Sequence, residues 1–311
     1  MSAGAAPRRV FVLGGGASLG AHQVGALRYL DERGIRPDAI VASSIGVINA
    51  CLYASGGVEH MEEAWTGIGS IATKFRPSLR HNPISGFSLF SMDPLAEAVE
   101  RYIDFERVLH SPLDLSFVVL NLSRGEGQFA SNRGVRSARD LRTLSRAGYA
   151  IPMLFPPVRH RGEYYVDGGF AWNVPVLQAI EMGASEVFVL AVIASELPYK
   201  KGFRTPLEYY GRLADVMWRT IGNVGYVTTR IDRDGSYQGV PVTVLQPTEQ
   251  HAGFSPLSLF SWSAARTRRL ITAGYSDAKR ELSRRGRGAA SGAAAQPPVP
   301  AVEPAFRHEV A

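Results

Sequence analysis

Cysteine is almost absent from this chain, since Cys51 is the only one among 311 residues. A single cysteine excludes an internal disulfide, so the fold must depend on packing, as is usual in a reducing compartment. Long hydrophobic runs are missing too: the longest, residues 187–194, has eight apolar residues, whereas a membrane-spanning helix needs roughly 18 or more. The apolar run at residues 10–13 is too short for a secretory signal. We therefore expect a cytoplasmic protein.

Positive charge is concentrated near the C-terminus. The chain carries a net charge of +6, and residues 266–287 contain eight basic residues against two acidic ones, so this segment alone accounts for the excess. A basic helix can bind anionic lipid headgroups, although a solvated helix face is the plainer interpretation. We expect peripheral contact with an anionic membrane surface, at the inner membrane face, through residues 266–287, and no nucleic-acid partner. Residues 286–311 are rich in Ala, Gly and Pro, which is typical of a disordered tail.

The order of apolar runs and turns indicates parallel strands. An apolar run at residues 10–13 is followed by a glycine-rich turn and a helical stretch that ends before Gly34. A second run at residues 39–42 leads into a helix that we expect to close at Gly56 and Gly57. Strand, helix, strand and helix in this order imply parallel strands with right-handed crossovers. Further elements are predicted from apolar runs and helical spacing: strands at 115–122, 164–166 and 187–193, and a helix at 207–224.

The glycine-rich turn, "GGGASLG" at residues 14–20, presents backbone N–H groups beside a helix N-terminus, which suits an anion. A dinucleotide fingerprint would need glycine at Leu19 in one frame or at Ala17 in the other. A P-loop would need lysine where Ala21 stands. Two interpretations remain: an oxyanion hole, which binds a transient charge, or a tight turn needed only for close packing.

A second turn, "ASSIG" at residues 42–46, matches the G-x-S-x-G elbow with Ala42 in place of its first glycine. The elbow lifts its central serine onto a strained strand-to-helix turn, so small residues must flank it at both sides. Ser44 is therefore the candidate nucleophile, and Gly46 the small residue that follows it. Ser43 is assigned only a packing or capping role. The simpler alternative is that Ser44 caps the helix.

A serine nucleophile needs a group that takes its proton, and the sequence offers two candidates. His251 lies late in the chain, where an α/β-hydrolase carries its catalytic histidine. Asp167 ends a short apolar run and begins an Asp-Gly-Gly turn, which by itself is a common hairpin signal. That turn leads to Asn173 and Pro175, a helix start, so the carboxylate can face a serine across the sheet.

Four motifs together resemble the patatin-like phospholipases. They are "VLGGGASLGAHQVGAL" at residues 12–27, "ASSIGVINA" at 42–50, "AIPMLFPPV" at 150–158 and "YYVDGGFAWNVPV" at 164–176. The resemblance covers roughly residues 8–285 and specifies order and spacing as well as composition. It implies one domain with a three-layer α/β/α fold and a mainly parallel central sheet, followed by the tail at residues 286–311. It also implies a serine–aspartate dyad without a catalytic histidine, metal or cofactor.

The resemblance assigns a role to each motif. It implies Ser44 as nucleophile, Asp167 as base, and an oxyanion hole formed by the amides of Gly15, Gly16 and Ala17. The residues that support these motifs are Gly20, Ala42, Gly46, Gly168 and Gly169. Three positions depart from the family pattern: Leu19 stands where Arg or Lys is usual, and Ala17 and Ala42 replace glycines.

The activity implied is that of a serine lipid acyl hydrolase of the phospholipase A or lysophospholipase type, working through an acyl-enzyme. Two alternatives stay open. One is an esterase that uses Ser44 with His251, and the other is a catalytically silent protein that binds lipid or a partner.

Overall fold

The central element of the fold is a mixed β-sheet. The computed structural model describes residues 8–68, 88–194, 199–221, 231, 235–248 and 263–291. The strands in this part of the chain are β1 (Arg9–Leu13), β2 (Ala39–Ala42), β3 (Asp114–Asn121), β4 (Glu126–Ser131), β5 (Val158–His160), β6 (Glu163–Asp167), β7 (Glu186–Leu190), β8 (Ser236–Tyr237) and β9 (Val240–Leu245). Hydrogen-bonded neighbours follow the path β5-β6-β3-β2-β1-β7-β9-β8, and β4 also pairs with β3.

The helices of the described residues are α1 (Ala21–Glu32), α2 (Ile45–Gly67), α3 (Asp93–Glu100), α4 (Phe105–Leu109), α5 (Ala138–Gly148), α6 (Val176–Glu181), α7 (Pro206–Ile221) and α8 (Ala264–Ser291). Two short 3₁₀ turns, Ala17–Gly20 and Gly168–Phe170, follow β1 and β6. In the described part of the chain, no helix combines the length and the apolar character needed to cross a membrane.

Parallel strands form the middle of the sheet, where β3, β2, β1, β7 and β9 pair in the same direction. Antiparallel pairs lie toward the edges, where β4 and β6 join β3 and β8 joins β9. Parallel strands buried on both faces read as continuous apolar runs, which is why the sequence signals for β1, β2 and β7 are so clear. The predicted mainly parallel central sheet is confirmed.

Alternating side chains of the strands face two apolar layers. Phe11 and Leu13 of β1 pack in one cluster with buried residues of α1, α2, α5 and α8. Val10 and Val12 pack in the other cluster, which includes Val176 of α6. A sheet enclosed in this way by helices on both faces is the predicted three-layer α/β/α fold.

Three element boundaries differ from the sequence-based expectation. Helix α2 does not close at Gly57; Gly57 adopts φ 79° and ψ −164°, and the helix resumes after this kink and continues to Gly67. Strand β7 ends at Leu190 rather than at residue 193; Ala191, Val192 and Ile193 pack in the cluster that contains Leu19 of the glycine turn. Helix α8 extends to Ser291, so the predicted start of the tail at residue 286 falls inside a helix; residues 292–311 lie outside the described residues.

Strands β2 and β6 lie on the same side of β3. The first half of β3 pairs with β2 in parallel, up to Ala42 opposite Phe117. The second half pairs with β6 in antiparallel, from Asp167 opposite Val119. Strand β4 pairs with β3 from Ser116 to Asn121, so it occupies the other side of β3 opposite both β2 and β6. Strands β2 and β6 therefore lie end to end along the remaining side and run toward each other. Their carboxyl ends meet beside Val118, which places the residues after β2 next to the end of β6.

Helices α1 and α8 are in backbone contact. A Cβ at Gly25 would overlap the carbonyl of Ile271, and a Cβ at Gly274 would overlap the carbonyl of His22. Glycine at both positions is therefore required for this close approach. Next to the contact, His22 Nε2 and Asp277 Oδ2 are 3.0 Å apart and both side chains are buried. Helix α1, which begins directly after the glycine turn, is thus fixed against the C-terminal helix.

Candidate active site

Ser44 occupies the apex of the turn between β2 and α2. Its backbone adopts φ 53° and ψ −125°, a conformation that is strained for a residue with a side chain. Its hydroxyl makes no capping hydrogen bond to α2, so the capping alternative does not account for it. A Cβ at Gly46 would overlap the carbonyl oxygen of Leu13, which explains why the turn requires glycine there. Ala42 ends β2 fully buried.

Asp167 faces Ser44 from the end of β6. The Ser44 hydroxyl donates to Asp167 Oδ2 over 2.6 Å, and the Gly169 N–H donates to Asp167 Oδ1 over 2.7 Å. Gly168 lies against the backbone of β3, where a Cβ would crowd the carbonyl of Val118. The Asp-Gly-Gly sequence is therefore a strand end in contact with β3 and not a hairpin turn, as its position before Asn173 indicated.

The carboxyl group of Asp167 is almost fully buried. Burial raises its pKa from 3.8 to about 7, although the hydrogen bonds from Ser44 and Gly169 oppose that change. In the described part of the chain, no basic side chain forms an ion pair with it. A carboxylate with a pKa near neutrality is a much stronger base than an ordinary aspartate, and this one is already hydrogen-bonded to a hydroxyl.

The glycine turn is held by Asn173. The Gly15 N–H donates to Asn173 Oδ1 over 2.9 Å and, at 3.4 Å, to the Asn173 carbonyl oxygen. Asn173 Nδ2 in turn donates to the Gly15 carbonyl oxygen over 3.3 Å. A Cβ at Gly15 would also overlap the Cβ of Ser44, so only glycine permits this approach. The amide of Gly15, which the resemblance placed in the oxyanion hole, is thus already bound.

Gly16 and Ala17 have backbone conformations unlike those of a regular helix. Gly16 adopts φ 159° and ψ 30°, and Ala17 adopts φ 48°, which is left-handed. Among the described residues, no acceptor for the N–H of Gly16 or of Ala17 is found. Gly20 ends the turn in contact with Ile45. These two amides directly follow Gly15, which contacts Ser44, so they are candidates to bind an oxyanion.

A buried polar network anchors both ends of the glycine turn. Gln23 Nε2 donates to the carbonyl oxygens of Gly14 and Leu190, each over 2.8 Å. Asn49 Nδ2 donates to the Gly20 carbonyl oxygen over 3.0 Å and to Gln23 Oε1 over 2.7 Å. The indole of Trp65 donates to Asn49 Oδ1 over 2.7 Å. These three residues were not predicted from the sequence. The only sequence signal was the amide side chains of Gln23 and Asn49 inside otherwise apolar helical stretches.

No histidine of the described residues contacts Ser44. His22, which lies just after the glycine turn, pairs with Asp277 instead. Burial alone would raise the pKa of Asp277, but hydrogen bonds from His22 and Arg280 lower it to about 2. His251 lies outside the described residues. Ser43 is buried, and in the described part of the chain its hydroxyl has no hydrogen-bond partner.

Leu19, which replaces the basic residue usual in the family pattern, is buried in the apolar cluster that contains Val174 and Val192. An apolar side chain packs there without cost, whereas a buried cation would need a partner.

The fold and the serine–aspartate contact define a class: an α/β protein with a serine raised on a strand-to-helix turn and a buried carboxyl beside it. The model of the Patatin-like phospholipase family matches residues 11–180, more than half of the chain. The chain belongs to the patatin-like phospholipase family.

Several known proteins are similar to this chain. Lysophospholipase NTE1 of Mycosarcoma maydis is 31% identical over 188 residues, which is 58% of this chain and 9% of that protein. The patatin-like phospholipase domain-containing protein ZK370.4 of Caenorhabditis elegans is 30% identical over 216 residues, which is 67% of this chain and 15% of that protein. The crystal structure of VipD from Legionella pneumophila shares the fold, with a TM-score of 0.54 and 14% identity over 89% of this chain and 67% of its own. This chain therefore spans a small part of the curated relatives it matches.

Proposed function

We propose that this protein is a serine acyl hydrolase that cleaves lipid esters through Ser44 and Asp167. The observation that carries the proposal is the 2.6 Å hydrogen bond from the Ser44 hydroxyl to a buried carboxyl whose pKa is about 7. A strained backbone at the nucleophile and a base without another ionic partner are both typical of a catalytic serine.

In the first step, Asp167 accepts the hydroxyl proton while Ser44 Oγ attacks the ester carbonyl. The carbonyl oxygen becomes negatively charged and receives hydrogen bonds from the amides of Gly16 and Ala17. Each such donor lowers the barrier by about 2.7–4 kcal/mol in comparable enzymes. The alcohol leaves with the proton from Asp167, and an acyl-enzyme remains on Ser44.

In the second step, water attacks the acyl-enzyme and Asp167 accepts its proton. The oxyanion forms again at the same amides and collapses to release the fatty acid, and the proton returns to Ser44. Asn173 holds the turn throughout, because both polar atoms of its side chain are engaged by Gly15.

The substrate class follows from the family and from relatives named lysophospholipase and phospholipase. We propose a glycerophospholipid or lysophospholipid, cleaved at an acyl ester.

Helix α8 supports contact with an anionic membrane surface. Its basic side chains with high exposure are spread over about 160° of the solvent side of the helix: Arg268, Arg269, Lys279, Arg280 and Arg284. Arg280 and Arg284 form ion pairs with Asp277 and Glu281; within the described chain, the other three form none. Three such cations contribute roughly 3 kcal/mol near an anionic leaflet, and salt screens that attraction. We propose that this face contributes peripheral binding at an anionic bilayer.

Labelling with a fluorophosphonate probe tests the proposed chemistry. The wild type is expected to react at Ser44, and Ser44→Ala and Asp167→Asn are expected to lose labelling. His251→Ala serves as the comparison and is expected to label normally. If His251→Ala is inert and Asp167→Asn reacts, the protein is an esterase of the serine–histidine type. An unreactive wild type that still binds lipid would be a silent member of the fold.

A further inference from the structure

Helix α7 and the segment before it present aromatic side chains to solvent. The exposed fractions are 90% for Tyr199, 47% for Phe203, 47% for Tyr209, 64% for Tyr210 and 40% for Leu213. These five residues are called the aromatic face below. A group of large exposed apolar side chains on a protein surface often marks an interaction site.

The aromatic face is internally ordered. The rings of Phe203 and Tyr209 meet edge to face at 5.5 Å, and those of Tyr209 and Tyr210 do so at 5.3 Å. Leu213 lies one helical turn further along the same side of α7. The side chains are thus assembled as a cluster before any partner arrives, so little further ordering is needed on binding.

Cations lie at the N-terminal end of the aromatic face. Lys200, Lys201 and Arg204 are exposed at its start, and the Lys200 ammonium lies 5.4 Å from the centre of the Phe203 ring. Lys200 is also 3.1 Å from Glu208, the acid in the first turn of α7. Tyrosine and phenylalanine beside Lys and Arg are the side chains that favour the headgroup region of a bilayer, and the cations complement anionic lipid.

The aromatic face lies close to the candidate active site along the chain. The Leu190 carbonyl oxygen accepts a hydrogen bond from the Gly14 N–H, and Val192 packs against Gly16. Tyr199 follows Ala194 by five residues, so it is within about 18 Å of that segment. A surface held here at a bilayer would keep the catalytic serine near the lipids.

We propose that the aromatic face of α7 docks on the surface of an anionic phospholipid bilayer, with its rings at headgroup depth. The biological purpose of this docking rests on the proposed function, but the inference itself concerns membrane binding and not the chemical reaction. It differs from the contribution of α8, which is electrostatic: the aromatic face supplies contact that salt does not screen.

Co-sedimentation of the full chain with vesicles tests the proposal. The vesicles are phosphatidylcholine with and without phosphatidylglycerol, each at low and high salt. The double variant Tyr209→Ser, Tyr210→Ser is expected to bind anionic vesicles about tenfold or more weakly at both salt concentrations, because it removes two large apolar surfaces. The double variant Tyr209→Phe, Tyr210→Phe is expected to retain binding.

A matched control changes two apolar residues of similar exposure elsewhere, Leu122→Ser with Leu177→Ser, and is expected to bind as the wild type does. All three variants are expected to hydrolyse a soluble ester at the wild-type rate. Equal vesicle binding by wild type and by the double serine variant would overturn the proposal. So would a lipid-free wild-type dimer that the same variant converts to a monomer, since a second copy would then be the occupant. Vesicle binding by a wild type without esterase activity would overturn the proposed function and leave the docking surface in place.

Discussion

Asp167→Asn is expected to abolish hydrolysis and to stabilise the protein at neutral and higher pH. The asparagine can keep both contacts of the carboxyl: its oxygen accepts from the Gly169 N–H, and its amide donates to the Ser44 oxygen. What it loses is the ability to take a proton. Activity should fall by at least about a hundredfold, since general-base catalysis contributes on that order or more.

The gain in stability follows from the buried charge. The pKa of Asp167 is about 7 in the folded protein, against 3.8 ordinarily. Between pH 3.8 and about pH 7, Asp167 is protonated in the folded state and ionised in the unfolded state. The free energy of unfolding therefore falls as the pH rises through this range, by about 4 kcal/mol in total. Asparagine has no such loss. The free energy of unfolding of the Asp167→Asn variant, relative to that of the wild type, should therefore increase by about 2.5 kcal/mol between about pH 5 and about pH 8.

Urea denaturation of both proteins at the two pH values measures this difference, because other titrating groups cancel in the comparison. The wild-type kcat/KM for a soluble ester should fall about tenfold per pH unit below 7, as the base becomes protonated. An active Asp167→Asn would refute the assignment of the base. A stability difference that does not change with pH would refute the argument from burial.

Three further changes test other parts of the site. Ser44→Ala should eliminate hydrolysis of a p-nitrophenyl ester and Ser43→Ala should retain most of it; the reverse would mean that the apex of the turn is misplaced. Asn173→Ala should lower kcat at least about tenfold with little change in KM, and lower the free energy of unfolding by about 1–3 kcal/mol, because the Gly15 amide loses its better acceptor; an unchanged kcat in a steady-state assay would count against a positioning role. Removal of residues 286–311 should leave the melting temperature and soluble-ester turnover unchanged, since that composition supplies no core, and a large fall in melting temperature would show that those residues pack on the domain.

Local patterns in the sequence identified most of the strands that carry the site. Strand β2 begins and ends at the residues expected, because a short apolar run bounded by a turn is a strong local signal. A contact between Ser44 and Asp167 could be anticipated, since each residue follows the end of a predicted strand. The head-to-head arrangement of β2 and β6 could not, because it depends on which side of β3 each one pairs, a long-range choice with no local signature.

The polar network behind the glycine turn also escaped prediction. Gln23 and Asn49 lie on helices whose other residues are mainly apolar, and their partners are backbone carbonyls from distant strands and turns. An amide in such a helix is equally compatible with solvent exposure. The kink at Gly57 was expected as a helix end, because a glycine with positive φ stops a helix far more often than it interrupts one.

The contact between α1 and α8 has a consequence for the newly made chain. His22 and Asp277 are 255 residues apart, and ribosomes add about 5–20 residues per second. Helix α1 is therefore made on the order of tens of seconds before helix α8, which contacts it. We expect nascent chains stalled before Ala264 to be unreactive toward a fluorophosphonate probe, and released full-length chains to react. The proposed esterase chemistry would then begin only after helix α8 has been made and has packed against α1.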